Sequence, residues 1–388
     1  MKTMFKKVFA LALAVVMLFS LAACGGANYT AENTEYVIGV SGPLTGPAAV
    51  YGVAVKNSAQ MAVDEINAAG DLNGVKFKFV ATDDTHDATK VAANYASMYE
   101  GGMQVSLGTV TTAPGLEFTK LSADDNVFFL TPSASGDDIP EGDNGFQMCF
   151  ADGNQGAVAA DYVNSLGLTE VGVFYKSDDA YSNGIFKQFK DNLNKSIKTV
   201  ETVFTGDAQD FSAQISTLKD CKFIFMPIYY QPASVFMTQA KDTIAADAVY
   251  YGCDGFDGLA GQFEDFSVIP QEVSMLSHFD SNATEGAAAD FIKKYTEKFG
   301  AETLNQFGAS AYDCVYAIYN AMKAAIDAGK EIDVTISASD LCDILKEQFT
   351  GGFTYSGVTG TDIEWEDTGY VSKEAVKYTL KTANGAEK

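Results

Sequence analysis

The chain has 388 residues, with 51 acidic against 26 basic side chains and a formal charge of −25 at pH 7. So negative a surface repels nucleic acid phosphates and anionic lipid headgroups, and neither is expected as a partner. With 47% apolar residues the chain is no disordered acidic tail either; it has the material for a core.

The N-terminus comes first. Lys2, Lys6 and Lys7 precede an apolar run from Val8 to Leu21. That run is too short to span a bilayer comfortably and no charged segment follows it, so residues 1–23 read as a signal peptide. The run closes on Leu21-Ala22-Ala23-Cys24 with Gly25-Gly26 behind it, which resembles the bacterial lipobox. The resemblance implies that Cys24 is diacylated and becomes the first mature residue, with residues 24–35 as a tether. Acyl chains contribute about 0.8 kcal/mol per buried CH₂, so two of them anchor a protein stably to a membrane. No later stretch approaches the ~20 apolar residues of a transmembrane helix. The remaining chain, roughly 360 residues, exceeds what one core usually holds, so two lobes are expected.

Along this remainder, short β-branched or aromatic runs alternate with helical patterns. Tyr36 to Val40, Lys76 to Ala81, Val127 to Leu130, Val171 to Tyr175, Phe223 to Met226 and Val249 to Tyr251 read as buried strands. Val55, Ala59, Ala62 and Ile66 mark one face of a helix that Gly70 caps. Asp87 precedes a second helix through Tyr99, which Gly101-Gly102 ends. This alternation predicts an α/β fold of mainly parallel sheets flanked by helices. Ligands of such sheets sit beyond the carboxyl ends of the strands. Four loops there are rich in Gly, Ser, Thr or Asp: 41–46, 108–113, 131–135 and 252–258.

Together these loops resemble the type I periplasmic binding proteins of branched-chain amino acid ABC importers. The likeness begins at Ile38-Gly39-Val40-Ser41-Gly42-Pro43-Leu44-Thr45-Gly46 and Tyr51-Gly52. It continues through residues 62–67, Asp83-Asp84, Gly108 to Thr112, residues 131–135 and Asn154-Gln155-Gly156. It returns at residues 179–184, Tyr230 and Gly252-Cys253-Asp254-Gly255. The fold implied is two lobes joined by three crossings. Residues 36–150 plus 280–350 form lobe one; residues 151–279, with 351–388 as hinge return, form lobe two.

The same resemblance implies a site for a free amino acid between the lobes. Its carboxylate would take hydrogen bonds from Thr112 and from the Ser133 and Ser135 loop, whose N–H groups are expected at a helix N-terminus. Its ammonium would lie against Asp254, with Tyr230 nearby; Tyr229 is adjacent, and a slip of one residue would exchange the two. Tyr51 and Tyr181 would line the cleft from opposite lobes, and Phe307 would border the ligand side chain. The partners implied are a small amino acid, an ABC permease and ATPase, and the membrane through the lipid on Cys24. The protein would act as a monomer outside the cytoplasm, without a cofactor. A sensor using the same lobe closure, or a binder of an amide, urea or aromatic acid, remains an alternative reading.

Catalysis has little support. There is no Gly-x-Ser-x-Gly elbow, no phosphate-binding Gly-rich loop and no dinucleotide fingerprint. Cys149, Cys221, Cys253, Cys314 and Cys342 are odd in number and lack metal-ligand spacing, so they read as buried free thiols. His86, beside Asp83, Asp84 and Asp87, reads as an exposed polar loop before a helix and not a metal ligand. Asp362, Glu364, Glu366 and Asp367 lack calcium-loop spacing and read as a solvated face.

Overall fold

The computed structural model describes residues 34–70, 72, 76–140 and 143–383. The expected leader, Cys24 and most of the expected tether lie outside the described residues. Among the described residues no helix is long and apolar enough to cross a membrane.

The chain first lays down β1 (Glu35–Gly42), α1 (Ala49–Ala69), β2 (Lys76–Asp83), α2 (Val91–Glu100), β3 (Val105–Ser106), α3 (Thr112–Asp125), β4 (Phe129–Thr131) and β5 (Gly145–Gln147). These strands form one sheet in the order β2-β1-β3-β4-β5, with every pairing parallel. A second lobe comes next, with α4 (Asp152–Ser165), β6 (Glu170–Lys176), α5 (Ala180–Asn192), β7 (Lys198–Phe204), α6 (Ser212–Leu218), β8 (Phe223–Met226), α7 (Tyr230–Ala240), β9 (Val249–Gly252) and β10 (Glu272–Ser277). The chain then crosses back for α8 (Gly286–Phe299), α9 (Gln306–Asp327) and α10 (Ala338–Thr350), and crosses once more to end in β11 (Val376–Lys381). The second sheet runs β11-β10-β9-β8-β6-β7, and only its edge strand β11 is antiparallel.

Burial explains why these segments are strands. All four residues of β8 are buried, as are seven of the eight in β1, with no alternation of polar and apolar positions. Such strands are covered on both faces, as parallel sheets require. In α1 the expected stripe of Val55, Ala59, Ala62 and Ile66 is buried, and Gly70 ends the helix at φ 74° with its N–H on the Ile66 carbonyl. Asp87 caps a 3-10 turn, accepting from the Thr89 N–H, and α2 continues from it.

After the second crossing α9 packs along α1. Lys294 and Lys298 of α8 pair with Glu65 and Asp64 of α1 at 3.1 and 2.9 Å. The tail stays on this lobe longer than the sequence suggests. Buried Asp313 of α9 accepts from Tyr355, from the Val358 and Thr359 N–H groups and from the Thr359 hydroxyl. Trp365 then donates to the Gln147 carbonyl at 2.8 Å. Residues 355–371 therefore belong with the first sheet, and only β11 joins the second. All five expected thiols are free and buried.

Candidate functional site

The strand ends of both lobes converge on one cleft. On the first lobe, Asp83 ties the loop after β1 to the loop after β2, accepting from the Leu44 N–H at 2.9 Å and the Thr45 hydroxyl at 2.6 Å. This fixes the entry to α1, whose first turn presents Tyr51. Gly52 comes so close to the Pro43 carbonyl that a Cβ there would overlap it, so the turn can seat Tyr51 only with glycine next to it. Buried Asp84 accepts from the Ser41 hydroxyl at 3.1 Å and the His86 N–H at 2.9 Å, and burial pushes its carboxyl up to about 6. The His86 ring then meets the Thr111 hydroxyl at 2.9 Å. Thr112, the first residue of α3, donates to Asp152 at 3.3 Å, and Ser135 donates to the other oxygen of Asp152 at 2.7 Å.

From the second lobe, Tyr181 stands in the first turn of α5, which Asp179 caps by accepting from the Ser182 N–H at 2.9 Å. Its hydroxyl donates to Asp254 at 2.6 Å and accepts from the Gly255 N–H at 2.9 Å. Gln155 lies between the two aspartates. Its carbonyl accepts from the Asp254 N–H at 2.9 Å, and its amide N–H donates to Asp152 at 3.4 Å. A ring cluster closes the space. Tyr51 packs edge-on against Phe307 and Tyr230 at 4.7 and 5.1 Å, while Tyr229 stacks on Tyr181 at 4.6 Å and meets His86 at 5.1 Å.

The electrostatics of this cluster are one-sided. Asp254 is 2% exposed, and burial pushes its carboxyl up to about 6. Burial, and then the charge of Asp254, hold Asp152 well above the usual carboxylate range. Among the described residues no lysine, arginine or histidine bonds to either carboxylate, whose donors are hydroxyls, an amide and backbone N–H groups. A cation placed between them would relieve both the burial and the mutual repulsion. No group of residues suited to a metal ion occurs among the described residues.

The profile of the periplasmic binding protein family matches residues 35–370. The chain belongs to that family. It is 29% identical over 324 residues to the Leu/Ile/Val-binding protein BraC3 of Rhizobium johnstonii, covering 80% of this chain and 84% of that one. It is 28% identical over 245 residues to the leucine-, isoleucine-, valine-, threonine- and alanine-binding protein of Pseudomonas aeruginosa, covering 61% and 65%. Among solved structures it is similar to the branched-chain amino acid transporter substrate-binding protein LivJ of Streptococcus pneumoniae in complex with isoleucine. That likeness has a TM-score of 0.77 at 25% identity and covers 91% of this chain and 97% of that one.

In this periplasmic binding protein all eight residues expected in the cleft are buried, but several details differ from the expectation. The Ser133 hydroxyl is engaged by the Val110 carbonyl and does not point outward. No α-helix follows Thr131, because the chain runs through bends and turns there; the helix N-terminus at this spot is that of α3. The Thr112 and Ser135 hydroxyls serve Asp152. Of the adjacent tyrosines, Tyr229 is the ring lying in the fields of Asp152 and Asp254, while Tyr230 packs on Tyr51. His86 is no exposed loop residue but part of the cleft wall, and burial lowers its pKa. Asp152 escapes sequence reasoning, although it lies three residues before Gln155 of the Asn154-Gln155-Gly156 motif.

Proposed function

We propose that this protein binds a free amino acid, branched-chain or otherwise small and apolar, between its lobes and delivers it to an ABC importer. The observation that carries this reading is the pair of buried carboxylates, Asp152 and Asp254, without a basic partner among the described residues, at the meeting of two lobes. Similarity to an isoleucine-bound transporter protein supports the same ligand class. In this reading Asp254 accepts the ligand ammonium, with Asp152 adding its field. Backbone N–H groups at the start of α3 beside Thr112, together with the Ser133–Ser135 loop, receive the carboxylate. Tyr51, Tyr181, Tyr230 and Phe307 form the apolar walls.

Members of the family are solute-binding proteins of the extracytoplasmic space. We read this chain likewise as a binder and not an enzyme, monomeric, and held to the membrane by lipid on Cys24. Mass spectrometry of the mature N-terminus tests the anchor: an unmodified Cys24, or cleavage elsewhere, contradicts it. Melting curves with each of the twenty amino acids test the ligand class. A ligand that binds only the folded state raises the melting temperature, by about 2.7 kcal/mol of stability at a hundredfold excess over Kd. A shift with leucine, isoleucine, valine or alanine supports the reading. A shift with an aromatic acid and with no amino acid overturns it.

A further inference from the structure

The turn that carries His86 is strained and firmly held. Thr85 and His86 take φ 52° and 64° in succession, a left-handed region that few non-glycine residues enter and a β-branched threonine least of all. Three side chains keep them there. Asp83 accepts from the Thr85 N–H and Asp84 from the His86 N–H, both at 2.9 Å, while Lys90 donates to the Thr85 hydroxyl at 2.7 Å. Strain of this kind persists only where the surroundings over-determine it, and it collects at functional positions.

What the turn fixes is the His86 ring. Its Nδ1 lies 2.9 Å from the Thr111 hydroxyl, and Tyr229 of the second lobe braces the ring edge-on at 5.1 Å. Thr111 is the N-cap of α3. A threonine there ordinarily turns its hydroxyl inward to accept from the N–H two or three residues on. Thr111 makes no such bond. The third helical residue is Pro114, which has no N–H to offer. The second, Ala113, has an N–H but receives no acceptor from its cap, because the hydroxyl is engaged at His86. The first turn of α3 therefore keeps its donors and its partial positive charge for an acceptor from outside the helix.

We infer that His86 is a positioning residue for ligand binding: by holding the Thr111 hydroxyl it keeps the end of α3 uncapped, so that the Thr112 and Ala113 N–H groups stay open to the ligand carboxylate. This rests on the amino acid reading of the cleft. The test is calorimetric titration of the mature chain with leucine, isoleucine, valine and alanine in turn, for the wild type and for His86→Gly, His86→Asn and Thr111→Val. His86→Gly should weaken each amino acid that binds by about tenfold, as loss of a hydrogen bond at the site would. Its melting temperature should stay within a few degrees, because glycine takes φ 64° without strain and so offsets the lost contacts. His86→Asn should restore most of the affinity, since asparagine tolerates the left-handed turn and can still reach Thr111. Thr111→Val, which leaves the turn untouched, should weaken binding like His86→Gly, and the two effects should not add, because they break one bond. The decarboxylated amine of leucine has no carboxylate to place, so Thr111→Val should change its affinity by less than about twofold. Amino acid affinities within about twofold of wild type in both His86→Gly and Thr111→Val overturn the inference and leave the amino acid reading standing. The amine losing as much affinity as leucine in Thr111→Val also overturns it. If none of the four amino acids binds the wild type, both readings fall.

Discussion

The Tyr51 hydroxyl donates to the Gly255 carbonyl at 2.6 Å, joining residues 204 positions apart in the chain. One belongs to α1 of the first lobe, the other to the loop after β9 of the second. The same ring touches Phe307 and Tyr230. Tyr51 is thus both a wall of the cleft and a latch across it. Tyr51→Phe keeps the ring and removes the latch. A hydrogen bond of this kind contributes about 0.5–1.5 kcal/mol net, so ligand affinity should fall roughly two- to tenfold. Calorimetry checks the affinity, and a melting temperature within a few degrees of wild type checks that the ring packing survives.

Asp254→Ala should act more strongly. Truncating one partner of a buried, hydrogen-bonded charge pair costs about 2–5 kcal/mol, much of it from the unpaired charge left behind. Affinity for the amino acid should therefore drop roughly thirtyfold or more. Because Asp254 lies on a cleft loop and not in a core, the fold should persist. Normal binding with early melting would instead make Asp254 a turn residue.

The pH dependence of affinity and stability should run in opposite directions. Burial raises the folded Asp254 carboxyl from 3.8 to about 6. The folded state then holds this proton more tightly than the unfolded chain does. This group's contribution to stability is fullest below about pH 4 and is lost as pH rises through about 6. A bound ammonium needs the ionised carboxylate, so affinity should fall roughly tenfold for each pH unit below about 6. Titrations at about pH 5 and pH 7.5, either side of that value, test this, and Asp254→Asn should flatten both dependences.

Gly156→Ala tests the packing behind the site. A Cβ at Gly156 would overlap the Ile185 carbonyl and lie 2.8 Å from the Phe189 nitrogen, both on α5. Backbone atoms of a packed helix cannot move aside cheaply, so the substitution should cost about 1–3 kcal/mol. Denaturant unfolding should show a lower midpoint. An unchanged midpoint would mean that α4 and α5 pack more loosely than they do here.

The parts of the fold that are legible in the sequence are those in which one physical signal dominates. Phe223–Met226 is uniformly apolar and fully buried, and its bounds match β8. Strand β7, Lys198–Phe204, escapes notice because it is an edge strand whose exposed Lys198 and Glu201 dilute the pattern. Strand β3 has only two residues and β11 pairs antiparallel at the far end, so neither leaves a periodic trace. At the site, residue types are legible but their direction is not. Nothing in the sequence tells that Ser133 turns to Val110, or that the Thr112 and Ser135 hydroxyls both meet Asp152. Those choices depend on contacts between segments far apart in the chain.

If the cleft holds a free amino acid by both its charged ends, calorimetry of leucine against its decarboxylated amine will show it most plainly. Leucine should bind wild type at micromolar Kd or tighter, about −8 kcal/mol. The amine should bind more weakly to wild type, yet still lose most of its remaining affinity in Asp254→Ala, because its ammonium uses that carboxylate. Amine and leucine binding equally well, or leucine binding unaffected by Asp254→Ala, would contradict a site that grips both ends.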